Sequence, residues 1–211
     1  MLIPDIPIEE AASVDGLVPL SAEEEARAGT YRLLALLLSK PPDKQTIDLI
    51  VNLPSGENPI GKSVAELVKL SKQIDPETIE REFQKLFIGL GEGELVPYGS
   101  YYLSGFLHER PLARLRADLR RLGIERNTSY AEPEDGMASL CEIMSCMING
   151  DFGAPEDLSA QSKFFKQHIG SWGPQFFSDL ESAPSAFFYQ PVASIGQIFF
   201  QIETEAFSIN H

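Results

Sequence analysis

From residue 21 to residue 207 the apolar residues of this chain recur three and four positions apart, and nowhere do they alternate with polar ones for the length of a strand. That periodicity places one apolar stripe on each of a series of helices. The chain is therefore expected to be all-α, a single-domain bundle of about 9–11 helices.

The punctuation between stripes agrees. Ser21 stands as an N-cap before Glu23, Glu24 and Glu25, acids placed where the helix dipole favours them, and the stripe Tyr31, Leu34, Leu37 and Leu38 runs until Pro41 and Pro42 stop it. Asp75-Pro76 opens a helix carrying Ile79, Phe83, Leu86, Phe87 and Leu90, with Gly91 and Gly93 as its expected end. Leu112, Leu115, Leu119 and Leu122 share one face of a helix closed by Gly123. Pro133, as a first helical residue followed by Glu134 and Asp135, is expected to begin a helix with Met137, Leu140, Cys141, Met144 and Ile148 on one side. Helices also fit residues 156–169, 173–180 and 185–207, with Pro191 near the start of the last. Residues 1–20 hold prolines without periodicity and read as a mobile arm, leaving residues 21–211 as the helical domain, with a hinge expected near residues 127–135.

One short stretch argues against this picture. Residues 56–63, GENPIGKS, match the phosphate-binding pattern G-x-x-x-x-G-K-[ST]. The pattern works only where a strand runs into the loop and a helix leaves it, so that successive N–H groups face a phosphate. The preceding residues could supply a strand, but Asp43 as a cap with Ile47, Ile50 and Val51 fits a short helix equally well, and no apolar strand ending in Asp follows. A small P-loop enzyme that binds or hydrolyses nucleotides through residues 56–63 is the alternative; a helix-helix connector with Gly61 as punctuation is the reading adopted.

Other routes to catalysis are poorly furnished. His108, His168 and His211 lack metal-ligand spacing, and there is no C-x-x-C, H-E-x-x-H or G-x-S-x-G. Cys141 and Cys146 sit five apart in one helical stretch, on different sides, so they cannot bridge each other. No catalytic residue, metal site or permanently bound cofactor is expected, and the chain is not read as an enzyme. The first residues lack a basic and then apolar leader, and no apolar run approaches the ~20 residues of a membrane span, so a cytoplasmic location is expected.

Charge is the more informative property. The net charge is −14, and residues 127–211 carry only Lys163 and Lys166 against 11 acids. Such a chain repels nucleic acid and attracts basic partners. Two clusters stand apart: the aromatic stretch with Pro97, Tyr98, Tyr101 and Tyr102, read as a loop between helices, and six of the nine arginines, Arg110, Arg114, Arg116, Arg120, Arg121 and Arg126. The first could line a groove for an extended peptide; the second is most simply a solvated helix face.

An ordered series of segments then resembles the TorD/DmsD/NarJ family of molybdoenzyme maturation chaperones: REFQKLF, PYGS with Tyr101 nearby, LRRLG, EPED before a helix with Met144, FFKQHIGSW and FFYQPVASIGQIFFQIE. The resemblance spans about residues 76–207. It implies a cytoplasmic chaperone that binds the twin-arginine signal peptide and apo form of a molybdoenzyme and assists insertion of the molybdenum cofactor before export. The client it implies is a formate dehydrogenase or a reductase of dimethyl sulfoxide or trimethylamine N-oxide. Residue by residue, the family's binding positions fall on Leu86, Phe87, Tyr98, Gly99, Ser100, Pro133 and Asp135, with Glu132 beside them. Asp135 with Glu132 or Glu134 would meet the basic residues of the signal, and Leu86 and Phe87 its apolar segment. The resemblance admits transient contact with molybdopterin guanine dinucleotide or a guanine nucleotide, and either a monomer or a helix-swapped dimer. One departure is plain: where the family reads Glu-Pro-x-Asp-His, this chain has Gly136, which is expected to loosen the first turn of the helix that follows.

Overall fold

The computed structural model describes residues 19–89, 93–124 and 132–209. Among these there is no strand, and ten α-helices follow one another. They are α1 (Ala22–Ser39), α2 (Lys44–Val51), α3 (Pro59–Gln73), α4 (Pro76–Phe83), α5 (Gly99–Ser104), α6 (Arg110–Arg121), α7 (Met137–Asn149), α8 (Leu158–His168), α9 (Gly173–Ser182) and α10 (Tyr189–Ile209). The N-terminal arm falls almost wholly outside the described residues, as do most of the expected hinge, Arg126 and His211.

The helices begin where their caps dictate. Ser21 and Glu24 form a reciprocal capping box on α1, and Asp43, Asn58, Asp75 and Asp157 each accept an N–H in the first turn of the helix that follows. The bundle centres on α1 packed along α7, with α10 laid against α9 and α3. Nine of the 13 residues of α7 are buried, including Met137, Leu140, Cys141, Met144 and Ile148. A second layer of aromatic rings, Trp172, Phe176, Phe177 and Phe200, meets edge to face at centroid distances of 5.0–6.1 Å. Both cysteines are free and buried. Burial pushes the Cys146 thiol up to about 12 and that of Cys141 higher still.

Two buried carboxylates lock these helices together. Glu203 on α10 accepts from Arg27 Nε at 2.7 Å, Arg27 Nη2 at 2.9 Å and the Tyr31 hydroxyl at 2.9 Å. Glu82 on α4 accepts the backbone N–H groups of Phe187, Phe188 and Tyr189 at 2.8–3.0 Å, so it satisfies the otherwise orphaned donors at the start of α10.

The phosphate-like motif is explained by this architecture. Residues 44–51 are helix α2 rather than a strand, and Pro59–Ser63 is already the first turn of α3. The Gly61 N–H donates to Asn58 Oδ1 at 2.7 Å, so it serves the helix cap. A Cβ on Gly61 would stand 2.5 Å from the Gly56 carbonyl oxygen and 2.6 Å from the Gly56 Cα. The two glycines let two backbone segments touch. Among the described residues no sheet aims this loop at a phosphate.

Three boundaries differ from the sequence reading. The helix from Pro76 ends well before Gly93, with Leu90 and Gly91 outside the described residues: after Phe83 it widens into a π-helical turn over Gln84–Ile88, which Gly89 ends at φ 62° by donating to the Gln84 carbonyl at 2.7 Å. The tyrosine-rich stretch is not all loop, since Gly99–Ser104 forms α5. And α7 starts at Met137, not Pro133, because Asp135 and Gly136 are engaged elsewhere.

Candidate functional site

The engagement of Asp135 and Gly136 builds the site. Tyr98 and Gly136 form an isolated antiparallel bridge: the Met137 N–H donates to the Pro97 carbonyl at 2.9 Å, and the Gly99 N–H to the Asp135 carbonyl at 2.9 Å. The Asp135 carboxylate then accepts the Ser100 N–H on Oδ2 at 2.7 Å. The two motif segments, PYGS and EPED, are thereby clasped into one junction at the start of both α5 and α7. Tyr98, Gly99, Ser100 and Asp135 meet there, with Glu132 and Pro133 on the adjoining turn.

The clasp is tight. A Cβ on Gly99 would lie 3.0 Å from the Trp172 indole nitrogen, so this position requires the smallest residue. Trp172 Nε1 donates to the His168 carbonyl at 2.7 Å, and its ring lies 5.2 Å from that of Tyr102, whose hydroxyl donates to Asp179 at 2.9 Å. Gly136 is an extended N-cap residue at φ −68°, ψ 144°, so the glycine precedes the first turn of α7 and does not lie within it. A Cβ there would meet the Tyr98 ring at 3.3 Å.

Burial sorts the three acids. Glu132 is exposed, Glu134 and Asp135 are not. Glu134 is held by Arg116, whose Nε and Nη2 donate to it at 3.0 and 2.9 Å, so one member of the arginine face reaches back to the junction while Arg110, Arg114, Arg120 and Arg121 are exposed. Asp135 is only 3% exposed, and its Oδ1, like the Ser100 hydroxyl, has no hydrogen-bond partner among the described residues. The Tyr98 phenol is pushed up to about 12, chiefly by burial and then by the charges of Glu132 and Asp135.

Leu86 and Phe87 lie at the other end of the same connection. Leu86 is wholly buried, and the Leu95 N–H donates to its carbonyl at 2.8 Å, tying the π turn to the strand-like lead into Tyr98. Phe87 is half-buried, with its ring 4.9 Å from Phe83 and 5.5 Å from Tyr189. Among the described residues no hydrogen bond joins either of them to Asp135.

Sequence reasoning missed the junction's supports. Gly99, Leu115, Asp135, Leu140, His168 and Trp172 line a cavity of about 10 Å³, room for no more than one water. His168 Nε2 lies 3.0 Å from Asp118 Oδ2, and burial lowers its pKa despite that carboxylate. His168 and Asp118 lie 50 positions apart, and no spacing rule links them. Among the described residues no three His, Cys, Asp or Glu side chains group as metal ligands, and no helix is long and apolar enough to cross a membrane.

Comparison with known proteins follows the same segments. The chaperone protein TorD of Shewanella loihica is 23% identical over 205 residues, covering 86% of this chain and 93% of the relative. A probable Tat proofreading chaperone DmsD of Haemophilus influenzae is 28% identical over 134 residues, 63% of this chain and 62% of its own. The crystal structure of a putative redox enzyme maturation protein from Archaeoglobus fulgidus shares the fold, with a TM-score of 0.54 at 19% identity over 89% of this chain and 99% of that one. The family model of the nitrate reductase delta subunit matches residues 54–178, which contain the π turn, both halves of the clasp and Trp172. The chain belongs to that family, the TorD/NarJ group of maturation chaperones.

Proposed function

We propose that this chain is a molybdoenzyme maturation chaperone that holds the twin-arginine signal and apo form of a client enzyme at the α5–α7 junction. One observation carries the reading. The junction that joins the two motif segments contains a buried carboxylate oxygen, Asp135 Oδ1, with no partner among the described residues, and the exposed Glu132 lies three positions earlier in the chain. A desolvated acceptor left unpaired is costly, and a guanidinium is the donor that would satisfy it best. Glu132 attracts the signal's arginines first; Asp135 and Ser100 receive them once the short helix α5 lifts from the clasp. Tyr98, Gly99 and Pro133 shape the entrance, and the apolar segment that follows the arginines displaces Phe87 and reaches Leu86. Binding without turnover suffices for this role, and transient contact with molybdopterin guanine dinucleotide belongs to the same cytoplasmic step before export.

Calorimetric titration with twin-arginine signal peptides of formate dehydrogenases and of dimethyl sulfoxide or trimethylamine N-oxide reductases tests this. Binding is expected, weakening as salt rises. Absence of binding to every such peptide and to the client apoenzyme at low ionic strength would refute the proposal.

A further inference from the structure

A larger cleft lies elsewhere, between α3, α9 and α10, with a volume of about 370 Å³. Leu70, Pro191 and Phe187 give it apolar lining, and Glu66 and Glu181 line it as well. Ser63, the hydroxyl residue of the phosphate-like motif, opens onto it, whereas Lys62 does not line it. Among the described residues no lysine, arginine or histidine lines it, so its two carboxylates make it repel phosphate and favour a cation.

The two carboxylates are not equivalent. Glu66 is shared with Lys69, whose Nζ lies 3.0 Å away. Glu181 is oriented by neutral groups alone: the Ser194 hydroxyl donates to its Oε1 at 3.0 Å and the Gln197 amide to its Oε2 at 3.1 Å. Among the described residues no cation pairs with it, so its charge is positioned at the cleft without being neutralised. Phe187 is 60% exposed, yet its backbone is pinned by the Glu82 carboxylate at 2.8 Å. An exposed apolar ring and a carboxylate with no cationic partner among the described residues thus line the same cleft.

We infer that this cleft is a second binding site, independent of the α5–α7 junction, for an arginine or lysine side chain of a partner polypeptide. Such a side chain is amphipathic along its length. Its methylene stem would lie over Leu70 and Pro191, and its charged head would pair with Glu181 while facing the Phe187 ring, an arrangement favoured by the ring quadrupole. The volume, in the range of ordinary ligand sites, accommodates one such side chain with an apolar neighbour, and so selects a basic-apolar pair in an extended segment.

The test is an amide chemical-shift titration of the full chain with acetyl-Leu-Arg-Leu-amide, using the citrulline peptide as a neutral isostere. Saturable shifts are expected at Phe187, Gln190 and Ser194 with the arginine peptide and not with citrulline. Glu181→Gln and Phe187→Ala, both surface changes compatible with folding, should each weaken the arginine peptide by about fivefold. Equal shifts from both peptides, or no loss in either variant, would overturn the inference. Spermidine binding as tightly as the peptide would overturn the polypeptide assignment. Shifts confined to Ser100, Gly136 and Met137 would locate the peptide at the junction and reject this cleft, so the two sites are read separately.

Discussion

Glu203 and Asp135 are both almost wholly buried carboxylates, at 1% and 3% exposure, and they are treated in opposite ways. Glu203, between α1 and α10, has both oxygens occupied by a bidentate guanidinium and a phenol from another helix. Asp135, between α5 and α7, has one oxygen on a backbone N–H and the other on no group of the described residues. The contrast separates two kinds of polar burial: one closes the bundle, and the other leaves bonding capacity where a ligand can use it.

The sharpest way to break this comparison is to remove Glu203. Glu203→Ala leaves Arg27 and the Tyr31 hydroxyl without their acceptor, and urea unfolding should show a loss of about 3–5 kcal/mol. Gly61→Ala should follow, at about 1–3 kcal/mol, because its Cβ would collide with the Gly56 backbone rather than with a flexible side chain. Asp135→Asn is expected to change stability by less than about 1 kcal/mol, since the amide oxygen still caps α5 while the unpaired charge disappears. Its signal-peptide affinity should nevertheless fall by about tenfold, as measured by calorimetry. An Asp135 variant as damaging to stability as the Glu203 variant would erase the distinction.

Smaller still is the effect of pH through His168. Its pKa is lowered in the fold, chiefly by burial, so the unfolded chain binds the proton more readily. The contribution is therefore fully present above the ordinary value of 6.5 and is lost as pH falls below it through the folded value. Denaturant midpoints of the wild type should decline over that window more than those of His168→Gln. Last comes Lys62→Ala, within about ±0.5 kcal/mol of wild type, because Lys62 is an exposed side chain past a cap.

Much of this molecule was legible because its information is local. Caps such as Ser21, Asp43 and Asp75 act within three residues, and stripes such as Leu112, Leu115 and Leu119 within a few turns, so the helices follow from short windows. The motif segments also pointed to the positions that the clasp unites. What stayed hidden depends on partners distant in sequence. Asp135 reads as a helix-dipole acid until Ser100, 35 residues earlier, takes its oxygen. The π turn at Leu86 has the same apolar spacing as an α-helix and differs only in which carbonyl each N–H finds. Glu82 looks like one more surface acid on α4, and only the approach of residues 187–189 makes it a cap.

The placement of the two thiols gives the chain a built-in reporter. Cys141 is fully enclosed at the middle of α7, and Cys146, 5% exposed, sits one turn from the helix end near Asp151. A thiol-alkylating reagent can reach Cys141 only when α7 parts from α1, so its labelling rate measures global opening, whereas Cys146 can be labelled when the end of α7 frays. The ratio of the two rates, read by mass spectrometry, then gives the difference in free energy between those openings without any probe added to the protein.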